Sequence, residues 1–136
     1  MGMGCRISRS LLDAIRREAA AVSPLEACGL LYGAPDRIDD WDAVENIAED
    51  PARRFEIAPA ALFAALRAER GGGPRIVGYW HSHPGGDPRP SPTDAAMAQG
   101  DGKLWLIVAG DEARLWRAEP DGPVHGRFDE VPIAID

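Results

Sequence analysis

A nearly continuous apolar run of strand-forming residues ends in two histidines near the middle of this 136-residue chain. The run Arg75–Trp80 has the composition of a strand that is buried on both faces of a sheet. His81 and His83 follow it, two residues apart. Because side chains alternate along a strand, both imidazoles are expected on one side, where they can share a metal ion while Ser82 points away. The segment therefore predicts a metal site at the end of a buried strand.

A carboxylate that completes a catalytic zinc site follows a Gly/Pro-rich loop. Catalytic zinc takes three protein ligands and keeps one position open for water, and His81, His83 and Asp94 form such a set for one zinc ion per chain. Ser91 and Asp94 also fit a purely structural interpretation, as the N-cap of a helix and the acid three residues after it. Two histidines on an apolar strand are harder to explain without a metal, because buried polar groups without partners are costly.

The spacing of these residues resembles the H-x-H-x7-S-x2-D signature of the JAMM (MPN+) zinc metalloproteases. An upstream segment, PLEACGLLYG, resembles the glutamate segment of that family and contains Glu26. With both motifs in the family's order, the chain is identified as similar to its small prokaryotic JAB-type members. The resemblance implies a zinc ion held by His81, His83 and Asp94, a water polarised by Glu26, and an oxyanion assisted by Ser91.

These implied roles agree with elementary chemistry. Bound zinc can bring the pKa of its water to about 7, and a nearby carboxylate can move the proton from that water to the leaving amine. Taken from the residues alone, Glu26 is one of 22 acidic side chains, so its assignment as the base depends on the resemblance. A Ser91 hydroxyl beside the metal can donate to the charge that develops on a carbonyl oxygen. Capping and oxyanion support draw on the same hydroxyl.

The order of helical and extended patterns predicts an α/β (α+β) fold in one domain, residues 1–136. The resemblance implies a curved mixed central sheet flanked by helices, with a JAMM/MPN-like, cytidine-deaminase-like core. Helices are predicted from the Ser8 cap to about residue 21, over 60–70, and from 92 to about 99. Besides the histidine-bearing strand, strands are predicted over 5–7, 27–32, 41–47, 55–57, 103–108, 113–118 and 124–135.

Composition excludes several classes of function. A formal net charge of −7 disfavours nucleic acid or an anionic membrane surface as the main partner. Cys5 and Cys28 form no C-x-x-C pair and are interpreted as reduced thiols of a cytoplasmic protein. No signal peptide is visible, and no apolar stretch approaches the roughly 20 residues of a membrane span. The zinc deaminases are excluded because neither H-x-E nor P-C-x-x-C occurs.

The resemblance implies a zinc-dependent peptidase or isopeptidase that hydrolyses the bond after the Gly-Gly tail of a ubiquitin-like or sulfur-carrier protein. The tail is expected to reach the zinc by backbone pairing at a strand edge next to the site. One alternative is a non-catalytic MPN-type protein-binding module, against which the presence of all five motif residues argues. The other is a RadC-like JAB protein of unknown activity, similar over Gly86–Pro88, but the chain has no room for the upstream helical segment of those proteins. Substrate-binding residues and oligomeric state are left unassigned.

Overall fold

Residues 4–136 are described by a computed structural model. Its strands are β1 (Cys5–Ile7), β2 (Cys28–Ala34), β3 (Arg37–Trp41), β4 (Ile76–Ser82), β5 (Leu104–Ala109), β6 (Glu112–Gly122), β7 (Gly126–Val131) and β8 (Ile133–Ile135), and its helices are α1 (Arg9–Val22), α2 (Pro59–Arg70) and α3 (Pro92–Met97). Within the described residues, the strands form one sheet in the order β7-β6-β5-β4-β2-β3-β1-β8. Parallel and antiparallel pairs both occur, which confirms the predicted mixed sheet with helices around it.

The sheet is strongly curved. β7 and β8 stand at its opposite ends, yet only Pro132 separates them in the chain. Because one residue spans at most about 3.6 Å, the two ends of the sheet must curl until they meet. The Pro132 carbonyl also accepts a hydrogen bond of 2.9 Å from the Cys5 N–H. The prediction of one strand over 124–135 was wrong, since proline cannot donate a ladder hydrogen bond and the chain changes its partner strand there.

Helix α1 covers one face of the sheet. Its N-cap is Ser8, as predicted, and the Ser8 Oγ accepts a 3.1 Å hydrogen bond from the Leu11 N–H. Leu12 and Ile15 are fully buried in a core cluster that also contains Trp80. Burying each of these aliphatic side chains contributes roughly 1.5–3 kcal/mol. The opposite face carries a second cluster, in which Phe55, Trp105, Trp116 and Phe128 are buried.

The histidine-bearing strand lies in the interior of the sheet. On one side β4 pairs antiparallel with β2, with Cys28 opposite His81, and on the other it pairs parallel with β5, with Ile107 opposite His81. This confirms a strand buried on both faces. Both of its edges are occupied, however, so the backbone pairing with a substrate tail that we expected next to the site is not possible on this strand.

The segment between β3 and α2 differs most from prediction. The strand predicted over 41–47 lies earlier, at Arg37–Trp41, and residues 42–57 form a loop fastened by two isolated bridges, Cys28↔Val44 and Asn46↔Ile57. The predicted strand over 55–57 reduces to the second bridge. The cause lies at Asp42, whose Oδ1 accepts the Leu30 N–H at 2.9 Å and so replaces a ladder partner.

Helix α3 ends at Met97, two residues before the predicted end, because Ala98 already has an extended backbone. Among residues 4–136, no helix combines the length and apolar character that crossing a membrane requires.

Candidate metal centre

The two histidines converge at the end of β4. His81 belongs to the strand, and the His83 N–H continues the pairing with β5 by donating to the Val108 carbonyl at 2.9 Å. This extended backbone keeps the two side chains on one side, as their spacing predicts. Their Nε2 atoms lie 3.0 Å apart.

Asp94 is brought to the same point by the start of α3. The Ser91 Oγ accepts from the Asp94 N–H at 3.0 Å, and the Asp94 Oδ2 accepts from the Ser91 N–H at 2.9 Å, so a capping box is present. The same Oδ2 lies 3.2 Å from the Nε2 atoms of His81 and His83. The structural interpretation of Ser91 and Asp94 is therefore confirmed, and the same cap directs the Asp94 carboxylate at the imidazoles.

These three side chains fit a metal ion. Their donor atoms are 3.0–3.2 Å apart, close to the roughly 3.3 Å that separates donors around a tetrahedral ion with bonds of about 2.0 Å. The His83 Nδ1 lies 2.8 Å from the Asp87 carbonyl, to which it donates, and this leaves the Nε2 lone pair for a metal. Two imidazoles and one carboxylate are a donor set typical of zinc and related divalent ions.

The electrostatics of His81 and Asp94 also suit a metal. Burial lowers the pKa of His81, so its imidazole is held in the neutral form that coordinates metals. Burial by itself would raise the pKa of Asp94, but His81, His83 and the Ser91 N–H outweigh it and hold that pKa well below its usual range. For His83, burial is outweighed in turn by the Asp94 carboxylate and the Asp87 carbonyl, and its pKa is raised.

Glu26 completes the centre from the residue pair that precedes β2. It is only 5% exposed, and among the described residues its Oε1 has no hydrogen-bond partner. Its carboxylate and ring nitrogens of His81 and His83 lie within 4.8 Å of one another. Burial raises the pKa of Glu26 to about 7, with a further increase from Asp94 and an opposing decrease from His83. A carboxyl group with that pKa can accept and return a proton near neutral pH.

Three contacts of the centre were missed by the sequence analysis. The ring of Phe55 stacks on His81, the Asp87 carbonyl orients His83, and Asn46 binds the backbone of Glu26. Phe55 is 26 residues from its histidine, so no local pattern indicates that contact. Asn46 could have been singled out from the sequence, because it is the only asparagine in the chain.

Residues 8–119 match a model of the prokaryotic homologues of the JAB domain. A protein of Haloferax volcanii named desampylase is 34% identical over 129 residues, which are 93% of this chain and 90% of that protein. A protein of Thermus thermophilus, named a probable TtuB-protein conjugate cleaving protease, is 30% identical over 98 residues, 72% of this chain and 66% of that protein. The solved JAB1/MPN domain protein of Archaeoglobus fulgidus has the same fold, with a TM-score of 0.61 and 23% identity over 98% of this chain and all of the other.

Proposed function

This chain belongs to the JAMM hydrolases as one of the prokaryotic JAB-domain homologues, and from that premise we propose that it is a zinc-dependent isopeptidase. Its substrate would be a ubiquitin-like or sulfur-carrier protein whose C-terminal Gly-Gly is joined to an amine. One observation carries the proposal. His81, His83 and Asp94 bring three donor atoms to one point, and beside them lies the carboxylate of Glu26, whose Oε1 has no hydrogen-bond partner within residues 4–136.

In the proposed mechanism, His81, His83 and Asp94 hold one zinc ion. When bound there, zinc supplies a Lewis acid that lowers the pKa of water to about 7 and polarises a carbonyl group. Glu26 takes the proton from the attacking water and delivers it to the nitrogen of the leaving amine as the amide bond breaks. Proton transfer by a carboxylate placed in this way typically contributes 10² to 10⁴ in rate.

Ser91 supports the oxyanion in this proposal. In the capping box its Oγ acts only as an acceptor, so the hydroxyl proton is free to be donated to a substrate oxygen. Capping and oxyanion support therefore use different parts of one hydroxyl and do not compete. A lost oxyanion donor typically costs 10² to 10³ in rate.

The burial of the centre supports a glycine tail. His81 is fully buried and Asp94 is 2% exposed, while the His83 side chain is 12% exposed. A scissile carbonyl that reaches such a recessed site passes most easily when the residues before it have no side chains. Beside Glu26, a cavity of about 470 Å³ is lined by residues that include the apolar Leu25 and Val44 and the acidic Glu45, a combination that suits the aliphatic stem and amine of a leaving lysine.

The name of the Thermus thermophilus relative supports a protein conjugate as the substrate, since it states the cleavage of such a conjugate. A cytoplasmic location is part of the proposal, in keeping with two free, buried cysteines, Cys5 and Cys28.

The proposal is tested with a sulfur-carrier protein joined through its terminal glycine to a lysine side chain. The zinc-loaded chain is incubated with this conjugate, and the released carrier is measured by mass. We expect cleavage that a chelator abolishes and that falls at least about a hundredfold in Glu26→Gln. Cleavage that is indifferent to the chelator would contradict the metal mechanism. Equal cleavage after both glycines are replaced by bulky residues would contradict the proposed substrate.

A further inference from the structure

The side chain of Asn46 uses both faces of its amide to fasten the loop of residues 42–57. Its Oδ1 accepts two backbone N–H groups, each at 3.0 Å, and its Nδ2 donates to two carbonyls, each at 3.0 Å, and makes a longer contact of 3.4 Å with the Pro51 carbonyl. The donors are Ala48 and Glu56, and the acceptors are Glu26 and Arg54. An amide offers two donors and two acceptor lone pairs, so the hydrogen-bonding capacity of Asn46 is filled by backbone groups.

The loop that Asn46 closes holds the backbone of Glu26 on both sides. The Glu26 carbonyl accepts from the Asn46 Nδ2, and the Glu26 N–H donates to the Pro51 carbonyl of the same loop at 2.8 Å. The side-chain Oε1 of Glu26, by contrast, has no partner among residues 4–136. The direction of this carboxylate is therefore set by its backbone, and its backbone is set by the loop.

The same loop reaches a proposed metal ligand. Arg54 and Glu56, whose backbone groups bind Asn46, flank Phe55, and the ring of Phe55 stacks on His81 with 4.3 Å between the ring centres. One side chain thus links the proposed base to the residue that packs on a ligand of the centre. Asn46 itself makes no hydrogen bond to the imidazoles or to Asp94.

We propose that Asn46 is a positioning residue, which holds the Glu26 carboxylate at the distance from the metal centre that proton transfer needs. This inference rests on the proposed function. General-base catalysis requires the carboxylate within hydrogen-bond reach of the water, and a displacement of about 1 Å can cost a hundredfold in rate. Loss of Asn46 would slow the step that uses Glu26 while removing none of the three proposed ligands.

Two variants test the link. Asn46→Ala removes all of these contacts, and Asn46→Asp keeps an oxygen acceptor for the loop N–H groups while removing the donors to the carbonyls. Asp42→Ala is the matched control, because Asp42 lies in the same loop and holds the Leu30 N–H instead. Should Asn46→Ala fail to fold, Asn46→Asp decides the question.

The first readout is hydrogen exchange and needs no substrate. We expect the Glu26 amide to exchange at least about tenfold faster in both Asn46 variants, with the Leu30 amide unchanged, and the reverse pattern in Asp42→Ala. An unchanged Glu26 amide in a folded Asn46 variant would overturn the inference. This result stands even if the wild-type chain cleaves no conjugate, an outcome that would count against the proposed function alone.

The second readout is a double-mutant cycle on turnover. In the wild-type background and at saturating zinc, each Asn46 substitution should lower kcat about tenfold to a hundredfold, with KM within about twofold. In the Glu26→Gln background the same substitution should cost less than about threefold, because the group it positions is already disabled. Equal losses in both backgrounds would show that Asn46 acts on the fold in general and would overturn the inference.

Discussion

The ring of Phe55 lies almost flat against the imidazole of His81, with 4.3 Å between the ring centres and 23° between the planes. Phe55 is itself buried, so the stack closes one side of the His81 ring to water. The imidazole has little freedom to turn, and its Nε2 stays directed at His83 and Asp94.

Phe55→Ala should therefore weaken metal binding without removing a ligand. We expect the dissociation constant for zinc to rise about tenfold to a hundredfold, the usual effect of losing a residue that orients a ligand. Competition with a chromophoric chelator measures it. Phe63→Ala is the control, since Phe63 is 62% exposed on α2. Equal affinities in the two variants would show that the stack does not orient His81.

His83→Ala should abolish stable zinc binding, because it removes one of three ligands. Metal analysis of the purified chain is expected to fall from about one zinc per chain to below about a tenth. His125→Asn provides the comparison: this third histidine has a positive φ of 54°, which asparagine tolerates, and its Nε2 lies against the Pro90 carbonyl. Full occupancy in His83→Ala would refute the ligand assignment.

Ser91→Ala, compared with Ser8→Ala, separates the capping role of the Ser91 hydroxyl from its proposed oxyanion role. Each serine caps a helix through its Oγ, so each substitution should lower the free energy of unfolding by about 1 kcal/mol, as measured in urea. Only Ser91→Ala should also lower kcat, roughly tenfold to a thousandfold, through the loss of an oxyanion donor. If both variants keep wild-type turnover, the Ser91 hydroxyl is a cap and nothing more.

Glu26→Gln should stabilise the metal-free chain, and more so as the pH rises. Folding raises the pKa of Glu26 from 4.5 to about 7, so the folded state favours the protonated carboxyl group. The wild-type chain therefore loses stability as the pH rises from 4.5 to about 7. Above that window the cost is on the order of 3 kcal/mol, and below it the cost vanishes. Urea unfolding with a chelator present at pH 4.5 and pH 8 measures the difference. The same effect at both pH values would mean that folding does not raise the pKa of the Glu26 carboxyl group.

The site was predictable wherever its geometry follows from local structure. Alternation along a strand brings His81 and His83 together, and a capping box fixes Asp94. The spacing of the residues in the sequence is therefore enough to predict both arrangements. Glu26 required the family resemblance, because nothing in its local sequence shows that it faces the histidines across the β2–β4 pair. Asn46 and Phe55 act through a loop whose shape depends on hydrogen bonds to distant backbone, and no periodic pattern describes such a loop.

In the fold as well, features set by local sequence were predicted and features set by distant contacts were not. Helix α1 and the strand of the histidines follow from cap and apolar pattern, and both were predicted. The exchange of partner strands at Pro132 depends on how far the whole sheet curls, which residue-by-residue preferences do not describe. The end of β3 depends on the Asp42 carboxylate, whose contact with Leu30 appears only once the strands are paired.

One oxygen of Asp94 serves both the first turn of α3 and the two imidazoles. A helix of six residues is too short to persist by itself in water, so it depends on the contacts at its first turn. In the proposed function, the supply of metal would then affect local folding as well as chemistry, because free metal at a thousandfold excess over its dissociation constant would add about 4 kcal/mol to the folded state. Without metal, the chain would unfold locally first between β4 and β5, and proteases would cleave it there while the sheet stayed folded.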